Sequence, residues 1–307
     1  MNYHSPVLLQ ASVDGLEIRE NGVYVDATFG GGGHSREILA RLGSRGRLIA
    51  FDQDEDALAN RPEDDRFTLI GENFRYVRQY LKFYGILKVD GILADFGVSS
   101  HQFDRPDRGF STRFEGELDM RMDRRASLSA KEVVNSYSFE QLRGIFSRYG
   151  ELRKAGPMAG AIVRERDRQK IETTSQLKEA VQPLLQKGRE FKELAQLYQA
   201  IRMEVNQELA ALEEFLLQTP ELVRPGGRLS LISYHSLEDR LVKRFIRTGK
   251  FEGEAEKDFY GNPLAPFRKV GSLIVPDAQE IRINPRARSA KLRVAERAEP
   301  TKQHERK

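Results

Sequence analysis

Tyr24-Val25-Asp26-Ala27-Thr28-Phe29-Gly30-Gly31-Gly32-Gly33-His34-Ser35 is the stretch whose reading decides the fold. A short apolar run reaches an acid, passes through four consecutive glycines and gives way to Ile38, Leu39 and Leu42 at helical spacing. The pattern predicts a strand, a glycine turn and a helix with Ser35 as its N-cap. Glycines carry no Cβ, so the backbone turns sharply there and a ligand can lie against main-chain N–H groups. A helix N-terminus adds partial positive charge. Together these features predict a nucleotide-like ligand.

The acids narrow the choice of ligand. A dinucleotide fingerprint reads G-x-G-x-x-G, with its acid about 20 residues later. Here Ser35 stands where the third glycine belongs, Asp26 precedes the glycines, and Asp52 closes a second predicted strand, Arg47-Leu48-Ile49-Ala50-Phe51-Asp52. Acid, glycine loop and second acid resemble the first two motifs of the Rossmann-like S-adenosylmethionine (SAM) methyltransferases. Two other classes share part of this signature: a nicotinamide-dependent oxidoreductase, and an RNA-associated factor that binds SAM without catalysis. Equilibrium binding of SAM against NAD separates the first, and label transfer to RNA the second.

Composition limits the chemistry. The 307 residues suffice for one large domain or two modest ones, and they include no cysteine. Cysteine-ligated zinc, disulfides and thiol catalysis are therefore excluded. Methylation at pyrimidine carbon-5 usually requires a cysteine nucleophile, so the acceptor of a methyl group should be nitrogen or oxygen. The net charge of +4 is spread among many residues of both signs, which gives mild support for a polyanionic partner. No apolar run approaches a membrane span and the N-terminus lacks a signal-peptide pattern, so a soluble, cytoplasmic protein is expected.

Along the chain, His4-Ser5-Pro6-Val7-Leu8-Leu9 leads into a helix expected to end near Asn21-Gly22. The acidic Gln53-Asp54-Glu55-Asp56 reads as solvated charge opening a short helix. A third strand, Phe67–Ile70, precedes Gly71-Glu72-Asn73-Phe74; Phe74 reads equally as a surface for an adenine and as the first core residue of the next helix. The fourth strand, Gly91–Asp95, runs into Phe96-Gly97-Val98-Ser99-Ser100-His101-Gln102. Strands and helices alternating at this spacing predict a doubly wound parallel sheet, with Asp26, Asp52 and Asp95 converging at one edge. Asp95-Phe96-Gly97 matches a kinase triplet, but the other kinase motifs are missing.

From residue 105 to 199 the alternation gives way to loops and then helical patterns, which predicts an inserted all-helical domain for substrate recognition. Residues 1–104 and 200–299 form the discontinuous SAM-binding domain in this reading, and 300–307 a disordered tail. Basic residues of the insertion, including Arg143, Arg148, Arg153, Arg164, Arg168 and Lys170, suit a nucleic-acid face and suit solvated helix surfaces equally. Leu194–Gln218 reads as one long amphipathic helix. A fifth strand, Arg228–Tyr234, then delivers His235-Ser236-Leu237-Glu238-Asp239-Arg240 to the edge occupied by Asp95, and two closing antiparallel strands are expected within 269–275 and 290–295.

With these pieces assembled, the chain closely resembles the bacterial small-subunit ribosomal RNA cytosine-N4 methyltransferase family. The matching motifs are His4–Leu9, Asp26–Ser35, Asp95–Ser100, Arg108-Gly109-Phe110-Ser111, Leu118–Asp123, Gln199–Arg202 with Val205-Asn206, Tyr234–Arg240 and Asn284–Ser289. They run in order from one terminus almost to the other. Departures are few: Phe96 stands where Leu is more usual, His101 where Pro is common, and 188–196 follows the pattern loosely.

The resemblance implies an α/β, Rossmann-like class I SAM methyltransferase sheet that methylates the exocyclic amine of a cytosine in the decoding region of 16S rRNA. By position it carries SAM contacts onto Gly32, Gly33, His34, Asp52, Phe74, Asp95 and Gln102. The expected partner is 16S rRNA in an assembling small subunit, with no membrane and no metal; monomer and homodimer both fit. The residues themselves suggest roles. Asp52 can accept both ribose hydroxyls of SAM, and Asp95 can accept an N–H of the target amine, localising electron density on nitrogen. For His235 two readings stand, base binding or proton relay on one side and a helix cap on the other. His101, Phe103 or Tyr234 could offer a stacking surface, and Arg286, Arg288, Lys291 and Arg293 are candidate RNA contacts.

Overall fold

The computed structural model describes residues 6–257, 261 and 264–299, so the predictions for His4, Ser5 and the 300–307 tail lie outside the described residues. The chain divides into two compact units, one of residues 98–208 and one of the sequence on either side.

The larger unit is built on a seven-stranded sheet in the order β3-β2-β1-β4-β5-β7-β6. Its strands are β1 (Val23–Asp26), β2 (Arg47–Phe51), β3 (Phe67–Ile70), β4 (Val89–Asp95), β5 (Val223–Ser233), β6 (Phe267–Ile274) and β7 (Lys291–Arg297). The first five run parallel, β7 lies antiparallel to β5, and β6 antiparallel to β7. The expected α/β class, including the antiparallel closing pair, is what the chain adopts. β1 has β2 on one side and β4 on the other, so the winding direction reverses there, the place where open α/β sheets take their ligands.

Alternation along the strands assigns side chains to two layers. Val25, Ile49 and Phe51 join a core with Phe215, Leu229 and Phe245, while Tyr24, Leu48 and Ala50 turn to the other face, against Leu16, Ile38 and Leu39. β4 is buried from Val89 to Ala94, which explains its apolar run Ile92-Leu93-Ala94: helices cover both faces.

The sequence reading needs correction at several boundaries. The first helix is only Leu9–Asp14, because the chain turns at Gly15 and adopts a left-handed backbone at Glu17 (φ 47°). The predicted long helix is two, Glu190–Val205 and Glu208–Leu222. They break where Asn206 accepts from the Met122 amide and donates to the Met120 carbonyl, each at 2.7 Å, and Gln207 adopts φ 50°. Both helices bury one face, so the apolar periodicity runs across the break unaltered. The fifth strand starts at Val223 rather than Arg228, taking in Pro225-Gly226-Gly227 through a register shift against β4.

In the second unit the helices Ala130–Ser136, Phe139–Arg148 and Thr174–Val181 each begin with a capping box, from Ser129 with Glu132, Ser138 with Gln141 and Thr173 with Gln176. With Ala155–Arg166 and Glu190–Val205 they enclose Val133, Leu142, Phe146, Met158, Ile162, Leu197 and Ile201. Arg108 is wholly enclosed here and donates to the carbonyls of Arg121 and Met122, which holds the Leu118–Asp123 connector in place. Among the described residues no helix is long and apolar enough to cross a membrane.

Candidate active site

The glycine loop is fixed from several directions. The helix Gly33–Arg41 starts three residues earlier than predicted, from Gly32 with φ 74° and without a side-chain cap. Ser35 is therefore not the N-cap; its hydroxyl donates to Asp26 Oδ2 at 2.6 Å, with both residues fully buried. Asp26 Oδ1 accepts from the Thr28 amide at 3.1 Å. Burial pushes the Asp26 carboxyl above the ordinary range, against the pull of His34, Ser35 and the Thr28 amide. The first acid is thus a buried anchor for the turn. Arg36 donates to the Gly31 carbonyl and Asn60 to the Gly30 carbonyl, while the Gly32 amide donates to the Phe29 carbonyl at 2.8 Å. Sequence reading missed all these ties, because each joins a side chain to a turn whose shape was unknown.

Gly33 and His34 are tied to the N-terminal segment. A Cβ on Gly33 would lie 2.0 Å from Pro6 Cγ, so this glycine permits a protein contact. His34 is buried, with Nε2 3.1 Å from the Val7 carbonyl.

Asp52, directly after β2, accepts from the Gly30 amide through Oδ2 at 2.7 Å and from the Asp54 amide through Oδ1 at 2.9 Å. Each oxygen keeps a lone pair. Burial, the largest influence, pushes this carboxyl up to about 6. Asp54 is buried as the N-cap of Glu55–Leu58, accepting from the Asp56 amide, so within that acidic run only Glu55 is the exposed charge expected. Asn73 donates to Gln53 and ties the loop after β3 to the loop after β2. Phe74 packs edge-on against Phe96 and Phe215, with ring centroids 5.9 and 5.2 Å away, and remains partly exposed. Of its two readings, the core contact is present.

Asp95 ends β4, where its amide donates to Thr28 Oγ1 at 2.6 Å. Its carboxyl is pushed up to about 6 by burial, helped by Asp26 and Glu238 and opposed by His34 and a hydrogen bond from Tyr234. The Oδ1 atom is buried without a hydrogen-bond partner. Asp26 ends β1 beside Ala50 of β2 and Leu93 of β4, so Asp26, Asp52 and Asp95 stand at the carboxyl ends of three neighbouring parallel strands.

Tyr234 follows β5. Partly exposed, it packs against the apolar cluster that includes Val7, Leu8, Ile232 and Leu292. His235 is the N-cap of Ser236–Thr248: Nδ1 accepts from the Glu238 amide at 3.4 Å, and Nε2 lies 3.1 Å from Glu238 Oε1. Glu238, itself buried, accepts from the Tyr234 amide at 2.9 Å. Of the basic residues proposed for RNA, Lys291 and Arg293 both pair with Asp239, at 3.3 and 2.7 Å. Gln102 belongs to the second unit, where it completes a capping box with Ser99; Phe103 packs on that unit's core.

These residues fit an adenosyl ligand carrying a sulfonium. Asp52 offers paired acceptors, and Asp95 offers a bare, enclosed carboxylate oxygen.

Comparison with known proteins agrees. The MraW methylase family matches residues 1–298. The ribosomal RNA small subunit methyltransferase H of Christiangramia forsetii is 64% identical over 295 residues, covering 96% of this chain and 98% of that one. The proteins of the same name from Flavobacterium johnsoniae and Bacteroides thetaiotaomicron are 62% and 55% identical, each covering 97% of this chain and 98% of theirs. With nearly its whole length matched and the glycine loop and acids in place, this chain belongs to the MraW methylase family.

Proposed function

We propose that the chain transfers a methyl group from SAM to the exocyclic N4 amine of a cytosine in the decoding region of 16S rRNA, within an assembling small subunit. The observation that carries the chemistry is the buried, unpartnered Oδ1 of Asp95. A buried acceptor without a donor is costly, and an amine N–H presented there would relieve that cost.

Bound SAM supplies an electrophilic methyl carbon. In the proposed arrangement Asp52 holds the ribose hydroxyls, and Gly32, Gly33 and His34 border the methionine portion, with Phe74 as a further contact. The Asp95 carboxylate accepts one N–H of the cytosine amine, orients the nitrogen lone pair for in-line attack and takes the departing proton at Oδ1. An acceptor that is nucleophilic at nitrogen needs no covalent activation, in keeping with a chain devoid of cysteine. His235 serves this site as the cap that fixes Tyr234 and Glu238. The exposed Arg143, Arg148, Arg153, Arg164, Arg168 and Lys170 make the helical unit the RNA-recognition unit in this reading.

The test is incubation of labelled SAM with small subunits lacking the modification, followed by mass mapping of the rRNA. Label at a cytosine amine is expected, and Asp95→Ala should abolish it without unfolding the protein. Absence of label with the unaltered chain would leave a SAM-binding RNA factor; near-normal turnover by Asp95→Ala would remove Asp95 from the mechanism.

A further inference from the structure

We infer that Phe191, with Lys187, Arg189 and Lys192 beside it, is a contact for unpaired RNA: the ring stacks on an exposed base and the cations hold the neighbouring phosphates. The inference deepens the RNA reading above and rests on it.

Three observations within the second unit carry it. The first is the ring itself. Phe191 lies in the first turn of the helix Glu190–Val205 and is 86% exposed, the most open of the large apolar side chains among the described residues. Ala195, one turn along the same face and itself exposed, is too small to cover it. A single phenylalanine in water is common; its surroundings set this one apart.

The second observation is unneutralised charge. Lys187, Arg189 and Lys192 are exposed and form no ion pair among the described residues. Other exposed cations of the unit are paired, Arg105 and Arg124 with Asp107 and Lys131 with Glu172. The acids of the run, Glu190 and Glu193, are half-buried, and Glu193 Oε2 accepts from the Gln186 amide at 2.9 Å. Solvent therefore meets a cationic border around the ring.

The third is that the segment is held in place. Lys154 Nζ donates to the Leu184 carbonyl at 2.6 Å, the Arg189 amide to the Gln186 carbonyl at 2.8 Å and Gln196 to the Gly150 carbonyl at 2.9 Å. Less of the binding energy is then spent on ordering the platform. A protein partner would call for a broad apolar patch with few lysines, whereas one ring among free cations matches the base faces and phosphates of a single strand.

The experiment is binding of the full chain to unmodified 16S rRNA, isolated and within small subunits, at several salt concentrations, with affinity for the demethylated cofactor product as the check on folding. Phe191→Ala should weaken RNA affinity about tenfold. Phe191→Trp should bind at least as well as the unaltered chain, and Phe191→Leu, apolar but without a π face, as poorly as the alanine variant. Replacing Lys187, Arg189 and Lys192 by glutamine should flatten the dependence of log Kd on log salt by about 0.7 per cation removed. Equal affinity for all variants would overturn the inference, as would full affinity in Phe191→Leu. A loss confined to intact subunits, with isolated rRNA bound normally, would overturn it too and assign the ring to a protein. If the unaltered chain binds neither form of the RNA, the functional reading itself has failed; if it binds and Phe191→Ala matches it, only the stacking contact has.

Discussion

The Gly30 amide donates to Asp52 Oδ2 at 2.7 Å, so the acid beyond β2 and the first glycine beyond β1 form one structural piece. A change in the charge of Asp52 is therefore felt by the loop, and a ligand held by the loop is felt by Asp52.

Cofactor affinity should for this reason depend on pH. Asp52 is pushed up to about 6 from an ordinary 3.8, so in the free protein it favours the fold most below the ordinary value and loses that contribution as pH rises through 6. Ribose hydroxyls donated to the carboxylate favour its charged form, so binding should release protons near pH 6 and tighten as pH rises through that range. Calorimetry in buffers of different ionisation enthalpy reads the proton count. Proton uptake on binding would contradict the assignment, and Asp52→Asn should abolish the release and weaken affinity at least tenfold, or about 1.4 kcal/mol.

Gly33→Ala should destabilise through Pro6. The new methyl would meet Pro6 Cγ at 2.0 Å, forcing the N-terminal segment aside at a cost of about 1–3 kcal/mol. Pro6→Ala, which removes the obstructing ring atoms, should recover part of the loss in the double variant. It should not rescue Gly30→Ala, where no atom lies within 4 Å of the added Cβ and only the left-handed φ of 52° is strained. Equal rescue of both, in denaturant titrations, would rule out this explanation.

Removal of the Ser35 hydroxyl leaves Asp26 short of a partner at a fully buried position. Ser35→Ala should cost about 1.5–3 kcal/mol, the range for a hydrogen bond to a charged group. A change below about 0.5 kcal/mol in chemical unfolding would mean that the bond does not anchor the loop.

His235→Asn should preserve the cap of Ser236–Thr248 and, with it, most of the methyl-transfer rate, because asparagine is among the preferred N-caps. His235→Ala should lower stability by about 1 kcal/mol. A severe loss of turnover in a stable His235→Asn protein would point instead to base binding or proton relay by the imidazole.

Much of this site was legible along the chain. Strand, acid and glycines lie within a dozen residues, and a parallel sheet gathers its strand ends automatically, so Asp26, Asp52 and Asp95 could be assigned to one rim from spacing alone. The roles inside the rim were not legible in the same way. Asp26 and Ser35 look like a ligand acid and a helix cap in sequence, yet they satisfy each other because the turn buries both.

What the sequence by itself determined is therefore the α/β architecture and the family, since periodicity and ordered motifs are local or additive along the chain. Only the tertiary structure decided the break at Asn206-Gln207, the use of Gly33 against Pro6, the cap at His235 and the bond between Ser35 and Asp26. Each pairs groups far apart in sequence or sets a side chain against a particular backbone turn. A buried polar atom must find a partner wherever the fold supplies one, and no linear pattern records which partner that will be.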